Sequence, residues 1–288
     1  SVSRYFRRFP CWALAVVSCC PPTLSQEQAA QSRPSRVVSA NLCADQLLLS
    51  LADRDQIVSL GPFARDPVLS PLHQEARAFP LNRGSAEEMI GLRADLVLLG
   101  SFDSRYARAV LEAQKIPTLA VDPWTSLEQG RQQIRLVAKR LAQSERGEAM
   151  IARIDAGIEK LRSLQRTRGN TKSALILHRR GYALHASVAS ELAAMAGVTN
   201  AAESLGLKAD GLLPLERIVA TPPAFLIVTD ARPKGEDEGE ALLLHPALLD
   251  LFPLHRRLVV PDQLTICAGP ATPALIDALI AEIGQKVR

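Results

Sequence analysis

The chain has 288 residues, is 47% hydrophobic and 22% charged, and carries a formal charge of +4. Such a length suits about two globular domains, and the balance of apolar and charged residues excludes an intrinsically disordered chain. Arg4, Arg7 and Arg8 supply most of the basic excess, so the rest is near neutral; no Lys/Arg stripe with interleaved aromatics appears, which argues against a nucleic-acid partner.

Residues 1–35 read as an export signal and linker. A basic start is followed by the short apolar run Cys11 to Ser18 and then a Pro-rich polar stretch. That order is the signature of secretion, and the run is too short to span a bilayer as a helix. Cleavage near Ala29-Ala30 is favoured. "VVSC", Val16 to Cys19, also fits a lipobox, which would anchor the chain through Cys19.

From Arg36 onward strand and helix signals alternate. "RVVSA" reads as a strand, "ADQLLLSLAD" as a helix and "QIVSLG" as a strand. "SAEEMIGL" reads as a helix with Ser85 as N-cap and Glu88 completing a capping box. "DLVLLG" is a buried strand, "SRYARAVLEAQK" a helix and "IPTLAVD" a strand. From Ser126 to Gln165 the β signal disappears, and apolar residues fall at helical spacing, among them Ile134, Val137, Leu141, Ile151, Ile154, Ile158 and Leu161. The segment "AQSERGE" is the place for a break. The α/β rhythm then returns: strand "SALILH", helix "SVASELAAMAG" closed by Gly197, short helix "PLERIVAT" with Pro214 in a favoured first-turn position, and strand "FLIVTD". The segment "GEALLLHPALLDL", helical up to its proline, a strand "RRLVVP" and a C-terminal amphipathic helix complete the chain.

The segment starting at Glu87, "EEMIGLRADLVLLG", has a counterpart at Glu216, "ERIVATPPAFLIVT". Each opens with a glutamate, continues as an apolar helix, breaks, and ends in an apolar β run. Alternation and repeat together predict an α/β fold of two Rossmann-like lobes with parallel sheets, joined by one helical region, with a ligand cleft between the lobes. The expected boundaries are 36–122 for the first lobe, 123–171 for the helical connector and 172–288 for the second lobe.

The ordered set of motifs resembles the class III solute-binding proteins of ABC importers, the group that binds vitamin B12 and ferric siderophores. "RVVSANLCADQLLLSLA" resembles the family's first strand and helix. "EEMIGLRADLVLLG" resembles its E-x-I-x-x-L-x-P-D-L-V phrase, with Ala94 where proline is usual. "SELAAMAGVTNAAESLG" resembles its L-x-x-x-G-G-x-N segment, with Ala196 replacing the first glycine, and "LLLHPALLDLF" and "AGPATPALIDAL" resemble its last helices. The resemblance covers Arg36 to about Leu279 and implies that the bridge is a long rigid interdomain helix. It implies a periplasmic, monomeric binding protein without turnover or a cofactor of its own, which captures a metal chelate (a corrinoid or ferric siderophore) and delivers it to a permease dimer in the inner membrane. It further implies that Glu87 and Glu216, one per lobe, form salt bridges with permease arginines. Read from position alone, both acids are equally helix-dipole partners in first turns.

In parallel α/β lobes, ligand contacts come from loops after the strands' carboxyl ends. Those loops contain Asn41, Cys43, Phe63, Arg65, Asn82, Arg83 and Phe102 in the first lobe, and Arg180, Tyr182, Arg232, Thr265 and Cys267 in the second. Arginines pair with carboxylates and aromatics cover apolar ring faces; the combination suits a bulky anionic chelate. Cys43 and Cys267 are expected as separate buried thiols or cleft-lining groups, because a bond between them would pin the cleft. Among the histidines, His178 alone sits at a plausible strand end, and His245, before Pro246, reads as structural. The rival readings are a chelatase-like enzyme and a binder of free metal or haem on the same architecture. The sequence has no G-x-S-x-G, no P-loop and no G-x-G-x-x-G after a strand to support catalysis.

Overall fold

The computed structural model describes residues 33–101, 105–229 and 241–287, without the side chain of Arg179. The first lobe places β1 (Val37–Ser39), α1 (Leu42–Leu51), β2 (Ile57–Ser59), α2 (Ala86–Gly91), β3 (Leu96–Leu99), α3 (Arg105–Ala113) and β4 (Thr118–Ala120) in chain order. Its strands form one parallel sheet of order β2-β1-β3-β4. The strands are short and apolar, and β3 is buried along its whole length, as a sheet covered by helices on both faces requires.

The second lobe repeats the plan. It contains β5 (Lys172–Ile176), β6 (Tyr182–Ala183), α6 (Val188–Met195), β7 (Val198–Asn200), β8 (Gly211–Leu212), α7 (Leu215–Ala220), β9 (Phe225–Val228), α8 (Pro246–Leu251), β10 (Arg257–Val259), α9 (Asp262–Thr265) and α10 (Thr272–Lys286). The main sheet is parallel, ordered β10-β9-β5-β7. Read by chain position, both sheets have the strand order second, first, third, fourth. The repeated phrase therefore has a structural meaning: α2–β3 and α7–β9 are the same helix–strand unit in two copies of one topology.

Between the sheets run α4 (Leu127–Arg140) and α5 (Ser144–Arg168). The helical stretch is not continuous. It breaks at Leu141–Gln143, where Ala142 adopts a left-handed φ of 58°. The helices fold back on one another, as the ion pairs Arg135–Glu148 and Arg131–Asp155 show: partners that diverge in number on either side of a turn require antiparallel neighbours. The 25 residues of α5 span about 37 Å and pack against α6 and α10. One apolar cluster runs from Leu48 in the first lobe through Ile134 and Ile151 to Leu192 and Leu275 in the second. Shared burial of this kind stiffens the seam between the lobes.

Local chemistry differs from the sequence reading in two places. Ser85 accepts from the N–H of Glu88 at 3.2 Å as an N-cap should, but the Glu88 carboxylate accepts the N–H of Arg83 at 2.7 Å instead of closing the box on Ser85. Pro214 precedes α7 as its N-cap residue instead of occupying the first turn. Gly197 does follow the α6 cap with a left-handed φ of 82°, and His245 caps α8, its Nδ1 accepting from Ala247 at 3.2 Å.

Candidate functional site

Two cavities open at the carboxyl ends of the two sheets. In the first lobe, a cavity of about 440 Å³ is lined by residues that follow all four strands, including Asn41 after β1, Phe63 after β2, Gly100 after β3 and Asp122 after β4, with Arg83 at its edge. In the second lobe, a cavity of about 370 Å³ is lined by His178 after β5, Thr229 after β9 and Asp262 after β10, with Tyr182, Thr265 and Ile266. In each sheet the chain reverses its order of strand addition beside the first strand, between β1 and β3 or β5 and β9. Ligands of open α/β sheets bind at such switch points because the loops there diverge and leave a crevice.

The walls differ in character. The second-lobe cavity is floored by Ile176, Leu184, Ile227 and Val260, and its polar groups stand at the rim. There the His178 Nδ1 lies 3.5 Å from Asp262 Oδ1. Tyr182 is 43% exposed and pairs across the β6–β8 ribbon with Leu212, 69% exposed. Arg180 is exposed on the preceding turn at a left-handed φ of 60°. The first-lobe cavity is more polar. Asn41 serves both helix and site: its Oδ1 caps α1 at Ala44 N–H (2.8 Å) and its Nδ2 donates to Val121 O (3.0 Å). Asp122 accepts from the N–H of Ser101 at 2.7 Å and from its hydroxyl.

The largest departure from the sequence reading is between the cavities. Cys43 and Cys267 are not separate thiols; they form a disulfide, with Cα atoms 5.2 Å apart across 224 residues of sequence. The expectation that such a bond would be avoided treated the two loops as moving parts of a cleft. In the fold, the first turn of α1 and the segment after α9 meet at the seam, which brings the two cysteines within bonding distance. Cys43 still borders the first-lobe cavity, and Cys267 directly follows Ile266 of the second. The backbone N–H of Trp124 donates to Cys267 O at 3.4 Å at the same seam.

Two other expected contacts are used for architecture. The Asn82 amide is 2% exposed and donates to Ser39 O, Ser59 Oγ and Leu60 O, tying β1 to β2. The Arg65 guanidinium binds the carbonyls of Ala76 and Phe79 and holds its own loop. Both turn inward because buried carbonyls at loop ends need donors. Phe63, Arg83, Tyr182 and Thr265 line the cavities. Phe102 and Arg232 lie outside the described residues. Glu87 and Glu216 are both exposed, in the first turns of the equivalent helices α2 and α7. The apolar floor of the second cavity was not singled out from sequence; its signal was the apolar ends of β5 and β9 and Val260, which read equally as sheet core.

Beneath the first-lobe cavity, Asp45 is fully buried. Burial pushes its carboxyl up to about 6, against the opposing effect of hydrogen bonds from Gly61 N–H (2.7 Å) and the Ser39 hydroxyl. Among the described residues no group of three or more His, Cys, Asp or Glu converges as a metal site, and no helix is long and apolar enough to cross a membrane.

A family model described as periplasmic binding protein matches residues 37–251. Comparison with curated protein sequences finds no match. Among solved structures, the periplasmic heme-binding protein RhuT from Roseiflexus sp. RS-1 in apo form is 27% identical, with a TM-score of 0.68 over 88% of this chain and 99% of that one. A periplasmic heme-binding protein from Pseudomonas aeruginosa is 18% identical, with a TM-score of 0.66 over 88% and 93%. The periplasmic vitamin B12-binding protein BtuF of Vibrio cholerae is 12% identical, with a TM-score of 0.65 over 88% and 97%. With two lobes of one topology, cavities at both switch points and a family match over most of its length, the chain belongs to the periplasmic binding proteins.

Proposed function

We propose that the protein is the extracytoplasmic ligand-capturing component of an ABC importer, and that its ligand is a metal chelate of the tetrapyrrole class seated between the two cavities. The observation that carries the ligand class is the asymmetry of the walls. An apolar floor of Ile176, Leu184, Ile227 and Val260 with Tyr182 at its rim suits a flat apolar macrocycle. Arg83 on the first-lobe cavity wall, and Arg180 exposed on the turn before Tyr182, support a ligand with peripheral carboxylates, which arginines pair with. The haem- and B12-binding proteins of like fold support the same class. A disulfide in a two-lobed protein fits an oxidising compartment.

In this reading Glu87 and Glu216 dock the loaded protein on a two-fold permease. Their equivalent positions in two copies of one topology support that role, since a pseudo-symmetric pair of acids matches a pair of like sites. The test of ligand class is titration of the full chain with haemin, cyanocobalamin and a ferric hydroxamate, followed by absorbance. A tetrapyrrole should bind without chemical change, and Arg83→Ala or Tyr182→Ala should each weaken it about tenfold or more. Preference for the hydroxamate would move the ligand to the siderophore class, a reading favoured by the polar rim of His178, Asp262 and Thr265 and by a related fold from Saccharomonospora viridis described as an Fe3+-hydroxamate transport system. Conversion of the chelate, or failure of all three to bind, would overturn the proposal.

A further inference from the structure

The disulfide joins loops of the two cavities, and three features connect it to the ligand site. First, Cys43 borders the first-lobe cavity, while Thr265 and Ile266, immediately before Cys267, border the second. Moving either cysteine moves a cavity wall. Second, the residue after Cys267 is held in an unfavourable conformation. Ala268 is 2% exposed at φ 55° and ψ −95°, and Gly269 follows at φ 52°. A non-glycine residue keeps such a backbone only where its surroundings over-determine it. Third, Gln46 lies one turn beyond Cys43 on the same face of α1. It is fully buried, its amide makes no hydrogen bond to protein, and its Oε1 would lie 4.0 Å from a Cβ on Gly269. The contact between α1 and the segment after Cys267 thus contains a strained residue and an unpartnered amide, neither of which favours the contact.

We propose that the Cys43–Cys267 disulfide is a positioning element of the ligand site, holding the two cavity walls in register, and that its reduction by a dithiol lets residues 264–269 relax and the ligand leave. The retention part of this rests on the chelate capture proposed above. A thiolate of the reductant attacks the Cys43 sulfur, which borders the first-lobe cavity, and forms a mixed disulfide. Its second thiolate then displaces the Cys43 sulfur. Cys43 and Cys267 end as thiols, the dithiol ends as a cyclic disulfide, and two electrons and two protons pass from reductant to protein. In the oxidised protein the site is preformed, so less ordering cost falls on binding.

The experiment compares the full chain, oxidised or treated with dithiothreitol, with the Cys43→Ser/Cys267→Ser variant. Haemin and cyanocobalamin are the probes for dissociation rate. Amide hydrogen exchange is followed in the ligand-free protein. Dissociation should be about tenfold faster or more in the reduced and variant proteins. Exchange should accelerate at Trp124 and across 264–269, while β1 and β5 keep their protection. Unchanged dissociation or unchanged exchange at those positions overturns the proposal. So does loss of protection in β1 and β5 as well, which would make the bond a general staple of the fold. If neither probe binds the oxidised protein, the ligand reading fails, and exchange at Trp124 and 264–269 still decides whether the disulfide sets the cleft.

Discussion

The Glu191 carboxylate of α6, in the second lobe, accepts the backbone N–H of Leu127 at 2.9 Å, in the first turn of α4. Ser126 caps the same helix end through the N–H of Gln129 at 3.1 Å. The start of the connector is therefore held from the opposite lobe, and the negative charge lies at the positive end of the helix dipole. Glu191→Ala should cost about 1 kcal/mol, within the usual range for a lost N-terminal cap. Urea unfolding at neutral pH measures it. A variant as stable as the parent would show that Ser126 alone suffices.

Asp45 makes stability depend on pH. Its folded carboxyl titrates at about 6, whereas an unfolded aspartate titrates near 3.9. Between these values the folded protein holds a proton that the unfolded chain has released. The contribution is fully present below about pH 4, is lost as pH rises through about 6, and is constant above that; its size is on the order of 2–3 kcal/mol. Asp45→Asn keeps an acceptor for Gly61 and Ser39 and removes the titration. Unfolding midpoints of the variant should vary less between pH 4 and 7 than those of the parent. An identical pH profile would exclude Asp45 as the source.

Gly130 has no room for a side chain. A Cβ there would lie 2.2 Å from the Trp124 ring, and the Trp124 backbone N–H donates to Cys267 O at the seam. Gly130→Ala should displace the indole and cost roughly 1–3 kcal/mol by overpacking. Thermal unfolding and the emission maximum of Trp124 report the two effects. Unchanged emission would mean that α4 shifts instead of the ring.

Glu87→Ala with Glu216→Ala should leave chelate affinity near that of the parent, since neither side chain borders either cavity. Transport in a reconstituted importer, or stimulation of its ATPase, should fall sharply and depend on salt, because exposed ion pairs are screened and contribute only about 0–1 kcal/mol each. Replacing both with arginine should be worse. Full transport by the double alanine variant would leave the two acids as dipole partners of α2 and α7.

What the sequence determined follows from periodicity and local chemistry. Alternating apolar runs placed the strands of both main sheets except β7, the duplicated phrase exposed the second copy of the topology, and Gly197 marked the end of α6. These are short-range properties, set by the 2.0 and 3.6 residue repeats and by backbone conformations that few residues tolerate. The loops after the strands' carboxyl ends could then be named, so the places of Phe63, Arg83, Tyr182 and Thr265 on cavity walls were legible before any coordinates. The tertiary structure decided what those patterns cannot encode. It folded the connector back on itself at the break that "AQSERGE" had marked, because burying α5 against α6 and α10 while α4 stays near α1 requires a reversal. It turned Asn82 and Arg65 inward to satisfy carbonyls whose burial depends on distant strands. It brought together Cys43 and Cys267, whose pairing depends on the approach of two lobes at a seam and not on any local signal.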